Sequence, residues 1–81
     1  MPDAIEYLPY DQRIARLKEI ADRIVEVLRR AQRPMQLSEF LQRVAKEFRL
    51  AMSQVKYGLT YAKSSGRVTV DSHAMVSLAA A

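Results

Sequence analysis

The residue types that carry most enzymatic and metal chemistry are scarce in this chain. His73 is the single histidine, and it falls in a predicted hairpin turn, where we expect a solvated side chain and not a base or ligand. The absence of cysteine excludes a thiolate nucleophile, a disulfide and the usual zinc ligand sets. Glu19 and Asp22 stand at helical spacing on a polar face, which is typical of a solvated surface and not of acid–base catalysis. Gly58 and Gly66 form no phosphate-cradling loop. We therefore expect no enzyme, no metal site and no cofactor.

Side chains that could bind a nucleic acid are concentrated between residues 53 and 65. An apolar stripe of Val55, Leu59 and Ala62 predicts a helix with that stripe turned inward. The opposite side carries hydroxyl, amide and ammonium groups, and no acidic residue occurs from residue 51 to residue 70. Glutamine pairs with adenine, serine and threonine suit several base edges, and tyrosine and lysine reach phosphates. The predicted contact residues on this helix are Ser53, Gln54, Lys56, Tyr57, Thr60, Tyr61, Lys63 and Ser64.

The alternative for this helix is a face that is merely solvated. Serine, threonine and tyrosine have lower helix propensity than glutamate, lysine or alanine, so an exposed face built from them favours contact. The net charge of +4 is also uneven, because residues 29–67 hold nine basic and two acidic residues, a net charge of +7. Such a basic segment is typical of a nucleic-acid partner, although charge by itself fits solvated helix faces equally well.

The apolar spacing predicts the elements that would position these residues in one small domain. Asp11 is a plausible N-cap for a long first helix, and Pro34 ends that helix because proline disfavours a helical residue before it. Ser38 is the predicted N-cap of a second helix, and Gly66 is placed to terminate the third. The predicted elements are an irregular arm at 1–10, helices at 11–32, 38–48 and 53–65, and a two-stranded hairpin at 67–78.

Three helices followed by a hairpin are the order of a winged helix-turn-helix domain, and the chain resembles that superfamily over residues 34–78. The likeness is carried by the entry and core face of the second helix, the turn hydrophobe Leu50, the anchors Val55 and Leu59, and the glycine turn at residues 65–68. The resemblance implies a mainly helical fold with a small β-hairpin. It also implies a small prokaryotic, phage or mobile-element transcriptional regulator that binds double-stranded DNA. The third helix would enter the major groove, and Arg67 at the start of the wing would be among the contacts.

Two positions depart from the pattern of that superfamily. Ala51 occupies the place of the usual capping serine or threonine, which predicts a late start for the third helix, at Ser53. The wing tip, Asp71-Ser72-His73, has no basic side chain to enter a minor groove. The rival function is a winged-helix module or inhibitor, of phage or mobile-element type, that binds a protein instead of DNA. The basic segment favours DNA, and the wing without a basic residue favours a protein.

The first helix and the arm carry more apolar side chains than one small core needs. Exposed apolar surplus marks an interface, so we predict a homodimer; the alternative is an arm that folds back over its own core. No apolar run approaches the roughly 20 residues of a membrane span, and residues 1–10 have no positively charged start typical of a signal peptide. We therefore expect a cytoplasmic protein, associated with the nucleoid when bound to DNA. The predicted dimer contacts are Tyr7, Leu8, Tyr10, Ile20 and Val27.

Overall fold

Three helices and a small antiparallel sheet make up the part of the chain that the structure, a computed structural model, describes, residues 9–79. The prediction of a mainly helical fold with a small β component is confirmed. None of the described helices is both long enough and apolar enough to cross a membrane. The elements in chain order are α1 (Tyr10–Ala31), β1 (Met35–Gln36), α2 (Leu37–Phe48), α3 (Met52–Ser64), β2 (Val68–Val70) and β3 (Met75–Leu78).

Helix α1 is the central support of the fold. Its apolar residues recur at helical spacing and are buried from Ile20 to Leu28, because α1 contacts α3, α2 and β3. Ile20 and Val27, predicted to form an exposed apolar edge for dimer contacts, are both 0% exposed. That prediction is wrong: elements packed on more than one side of α1 bury the whole width of its apolar face. The helix ends at Ala31, and its C-cap residue, Gln32, adopts a left-handed conformation.

Helix α2 begins at Leu37, one residue before the predicted start. Its N-cap is Gln36 and not Ser38: the Gln36 side-chain oxygen accepts hydrogen bonds from the Glu39 N–H, at 3.2 Å, and from the Ser38 hydroxyl. Phe40, Leu41 and Val44 form the buried face. Three residues, 49–51, join α2 to α3.

Helix α3 packs chiefly on α1, and Gly58 makes that close approach possible. A Cβ atom at Gly58 would lie 2.2 Å from Ile20 Cγ2 and 2.9 Å from Ile20 Cβ, far inside van der Waals contact. Because the buried face of α3 lies against α1, its exposed face points away from α1. Gly66, at φ 77°, follows the helix and turns the chain into β2, a conformation that glycine adopts without strain.

The sheet has the strand order β1-β3-β2, with both pairs antiparallel. In the β2–β3 hairpin Val70 is opposite Val76 and Val68 is opposite Leu78. Strand β1 pairs with the other edge of β3, where Met35 is also opposite Val76. The sheet thereby ties the segment between α1 and α2 to the hairpin that follows α3.

Candidate functional site

The exposed face of α3 unites six of the nine residues that the sequence predicts to contact DNA. These residues follow the helical repeat opposite the buried side chains Val55, Leu59 and Ala62. A shallow depression of about 290 Å³ on this face is lined in part by Tyr57, which is 46% exposed. We call this surface the α3 face, and its members are Ser53, Lys56, Tyr57, Thr60, Lys63 and Ser64, all exposed.

Gln54 is not on the α3 face. Its side chain is 9% exposed, and its Oε1 accepts a hydrogen bond from the Ala51 N–H at 3.2 Å. Ala51 is the N-cap residue of α3 and has no side-chain acceptor to offer. Gln54 therefore supplies the half of a capping box that satisfies a backbone donor at the start of the helix. The helix consequently begins at Met52, one residue before the predicted start.

Tyr61 and Arg67 also lie off the α3 face. Tyr61 is half-buried and packs against the hydrophobic core. The Arg67 guanidinium lies 2.6 Å from Asp22 Oδ1 of α1. Arg67 therefore links the start of the hairpin to α1 through this ion pair.

Ion pairs neutralise part of the basic segment and leave the rest available. Arg30 pairs with Glu47, and this hydrogen bond raises the pKa of the Arg30 guanidinium. Arg33 lies 3.9 Å from Glu39. Both acidic residues of the basic segment are therefore engaged. Within residues 9–79, no ion pair involves the remaining cations of the segment, Arg29, Arg43, Lys46, Arg49, Lys56 and Lys63.

Arg49 is a candidate contact that the sequence reasoning missed. It is exposed and occupies the C-cap of α2 at φ 54°, a left-handed conformation that costs an ordinary residue about 1–2 kcal/mol. Glycine or asparagine is the usual residue there. The signal that the sequence offered was the basic charge of Arg49, which stands within the basic segment three residues before α3.

The wing tip carries a negative charge. Asp71 Oδ1 accepts hydrogen bonds from the backbone N–H groups of Met75, at 3.0 Å, and His73, at 2.8 Å. These two bonds, that of Met75 foremost, lower the pKa of the Asp71 carboxyl. His73 is exposed in this turn. The Asp71 side chain therefore bridges the turn, and the tip has an ionised carboxylate and no lysine or arginine.

A second concave surface lies between the end of α1 and β3. It has a volume of about 370 Å³, and Leu28, Pro34 and Leu78 are among its lining residues, with Arg29 and Arg33 also at its wall. Within residues 9–79 no group of three or more histidine, cysteine or acidic residues could hold a metal ion.

Of the predicted dimer contacts, Tyr10 is 74% exposed at the start of α1, and Tyr7 and Leu8 lie outside the described residues.

The chain matches no protein-family model, no curated protein and no solved structure.

Proposed function

We propose that this protein binds double-stranded DNA by placing the α3 face in the major groove. The observation that carries the proposal is the composition of that face: four hydroxyl side chains and two lysines are exposed together, with no acidic residue among them. Anionic phosphates attract such a surface. Hydroxyl groups and lysines supply hydrogen-bond donors for phosphates and base edges.

We infer that the fold is a winged helix-turn-helix. The inference is supported by the order of elements: α2 and α3 are joined by a three-residue turn, and the β2–β3 hairpin follows α3. In helix-turn-helix proteins the second helix of the motif enters the major groove. Here that helix is α3, whose exposed face points away from the supporting helix α1.

The test is a binding titration of the intact chain on a fluorescent duplex over a series of salt concentrations. Each phosphate contact contributes about −0.9 to the slope of log affinity against log salt. Replacing both lysines of the α3 face, Lys56→Gln with Lys63→Gln, should weaken binding and make the slope shallower by about 1.8.

Lys18→Gln is the matched control for the double lysine variant. Lys18 is an exposed lysine of α1, the helix from which the α3 face points away, so its loss should leave the slope nearly unchanged. Circular dichroism must show that every variant is folded. If folded protein does not bind a duplex at low salt, the proposal fails.

A protein partner is the second candidate, and two observations favour it. The ionised carboxylate of Asp71 at the wing tip repels phosphates. The concave surface between the end of α1 and β3 has an apolar wall, in which Leu78 is 40% exposed. A folded chain that does not bind DNA would make this the leading function.

Homodimer formation stays a prediction. Its remaining candidate contacts are Tyr10 and the arm residues Tyr7 and Leu8. Pairing would double the contact area that one small domain makes on DNA. Light scattering at micromolar concentration should give twice the mass of the chain. A monomeric mass both with and without DNA would contradict it.

A further inference from the structure

We propose that the α3 face holds duplex DNA through its phosphates and discriminates little between base sequences. This inference rests on the proposed function and goes beyond it, because it concerns which duplexes the surface accepts. Sequence-specific proteins read a base edge mainly with side chains that make two hydrogen bonds to one base, notably arginine or lysine to guanine and asparagine or glutamine to adenine.

The one amide side chain of α3, that of Gln54, caps the start of the helix. Gln54 is buried, and its Oε1 accepts the Ala51 N–H. To reach adenine, this side chain would have to leave the start of the helix and expose an unsatisfied backbone donor. Helix α3 has no arginine, asparagine or acidic residue. The face therefore lacks the usual readers of adenine and of cytosine, and the commonest reader of guanine.

The hydroxyl groups on the α3 face are weak readers. The Thr60 hydroxyl donates to the Lys56 carbonyl at 3.0 Å, so its proton is already used inside the helix. Ser53, Tyr57 and Ser64 each carry a single hydroxyl, which accepts or donates equally to several bases. Such contacts position a helix in a groove without selecting one sequence.

The lysines of the α3 face are the groups that we assign to phosphate contacts. Lys56 and Lys63 are seven residues apart, about 10.5 Å along the helix, on one edge of the α3 face and not at its centre. Arg49, the C-cap residue of α2, adds a third exposed cation in the turn before α3. Three such contacts predict a salt slope of about −2.7 for each copy of the chain. The wing tip adds no basic arm for the minor groove, since Asp71 there is anionic.

The test is a selection from random-sequence duplexes, followed by titration of the best selected duplex and a scrambled duplex of equal length and composition. We expect the two affinities to agree within about tenfold, against ratios of about 10³–10⁷ for specific regulators. A preference above tenfold would overturn the inference while leaving DNA binding intact. Absence of binding to either duplex by folded protein would instead remove the proposed function and this inference with it.

Two substitutions at Gln54 separate capping from base readout. Gln54→Glu keeps the side-chain acceptor for the Ala51 N–H but removes the amide donor that adenine N7 requires. It should retain the thermal midpoint and lower affinity equally for both duplexes, so that their ratio is unchanged. Gln54→Ala should lower the thermal midpoint. If Gln54→Glu abolishes a sequence preference while the protein stays folded, Gln54 reads a base and the inference is wrong.

Discussion

The contact between Gly58 and Ile20 gives the sharpest test of how α3 is placed. In an exposed helix, replacing glycine with alanine stabilises the helix by about 1 kcal/mol. At Gly58 the new methyl group would lie 2.2 Å from Ile20 Cγ2, about 1.3 Å inside the closest comfortable carbon–carbon distance of about 3.5 Å. The sign of the mutational effect therefore depends on whether Ile20 can move.

Ile20 cannot move easily. It is 0% exposed, and a β-branched side chain in a helix has essentially one χ1 rotamer. Its Cβ is also only 2.9 Å from the new methyl, so rotating the side chain would not remove the clash. Helix α3 must then move away from α1, and Val55 and Ala62 lose their packing with it.

The overlap at Gly58 places the cost at the upper end of the range for overpacking, about 3 kcal/mol. The gain in helix propensity offsets about 1 kcal/mol of this, so Gly58→Ala should lose about 2 kcal/mol. In a domain of this size that corresponds to a decrease of about 8–16 °C in the thermal midpoint. Thermal and urea unfolding followed by circular dichroism measure both quantities.

A double-mutant cycle identifies the cause of the loss. Ile20→Ala removes Cγ2, so the cost of Gly58→Ala should shrink in that background by about 1–3 kcal/mol. Gly66→Ala is the matched control: its φ of 77° makes alanine strained, but nothing lies within 4 Å of the added Cβ. It should cost about 1–2 kcal/mol in either background. A Gly58→Ala protein as stable as the parent would refute the close approach of α3 to α1.

Three further substitutions test local features of the fold. Ala51→Ser should stabilise the protein by about 1 kcal/mol because it completes the capping box at the start of α3; an unchanged urea midpoint would contradict this. Ala74→Gly should stabilise by about 0.5–1 kcal/mol, because Ala74 sits at φ 57° and glycine removes that strain; thermal unfolding measures it. Asp71→Asn keeps an acceptor for the turn but removes its titration. Since the folded pKa of Asp71 is lowered, its stabilisation is present above the ordinary carboxyl pKa of about 3.9 and is lost as pH falls through the lower folded value. The parent should therefore exceed the asparagine variant in thermal midpoint at neutral pH and lose that advantage in acid, and a pH-independent difference would count against it.

The helices could be predicted because their signals are local. Apolar residues at three- and four-residue spacing mark the buried faces of α1 and α2, and alternating residues mark the β2–β3 hairpin. The pairing of β1 with β3 could not be predicted this way. Strand β1 has two residues, too few for a period, and its partner lies about forty positions later, where Met35 is opposite Val76.

The surplus of apolar residues on α1 has two structural explanations, which the sequence alone cannot distinguish. A wide apolar face is needed for a second copy of the chain, and it is equally needed for a helix with neighbours on several sides. The number of neighbours is a tertiary property. Here α2, α3 and β3 all contact α1, which is why Ile20 and Val27 are core residues.

Gln54 shows why the face of a helix cannot be read from its angular position alone. At 100° per residue it lies on the boundary between the buried and exposed sides of α3, beside Tyr61. What decides its position is that it is the third residue of the helix, where a glutamine can reach back to the N-cap backbone. Ala51 offers no side-chain acceptor there, so loss of the Gln54 contact would leave that end of α3 without a side-chain cap. The residue of α3 best suited by type to read a base is thus the one that caps the start of the helix.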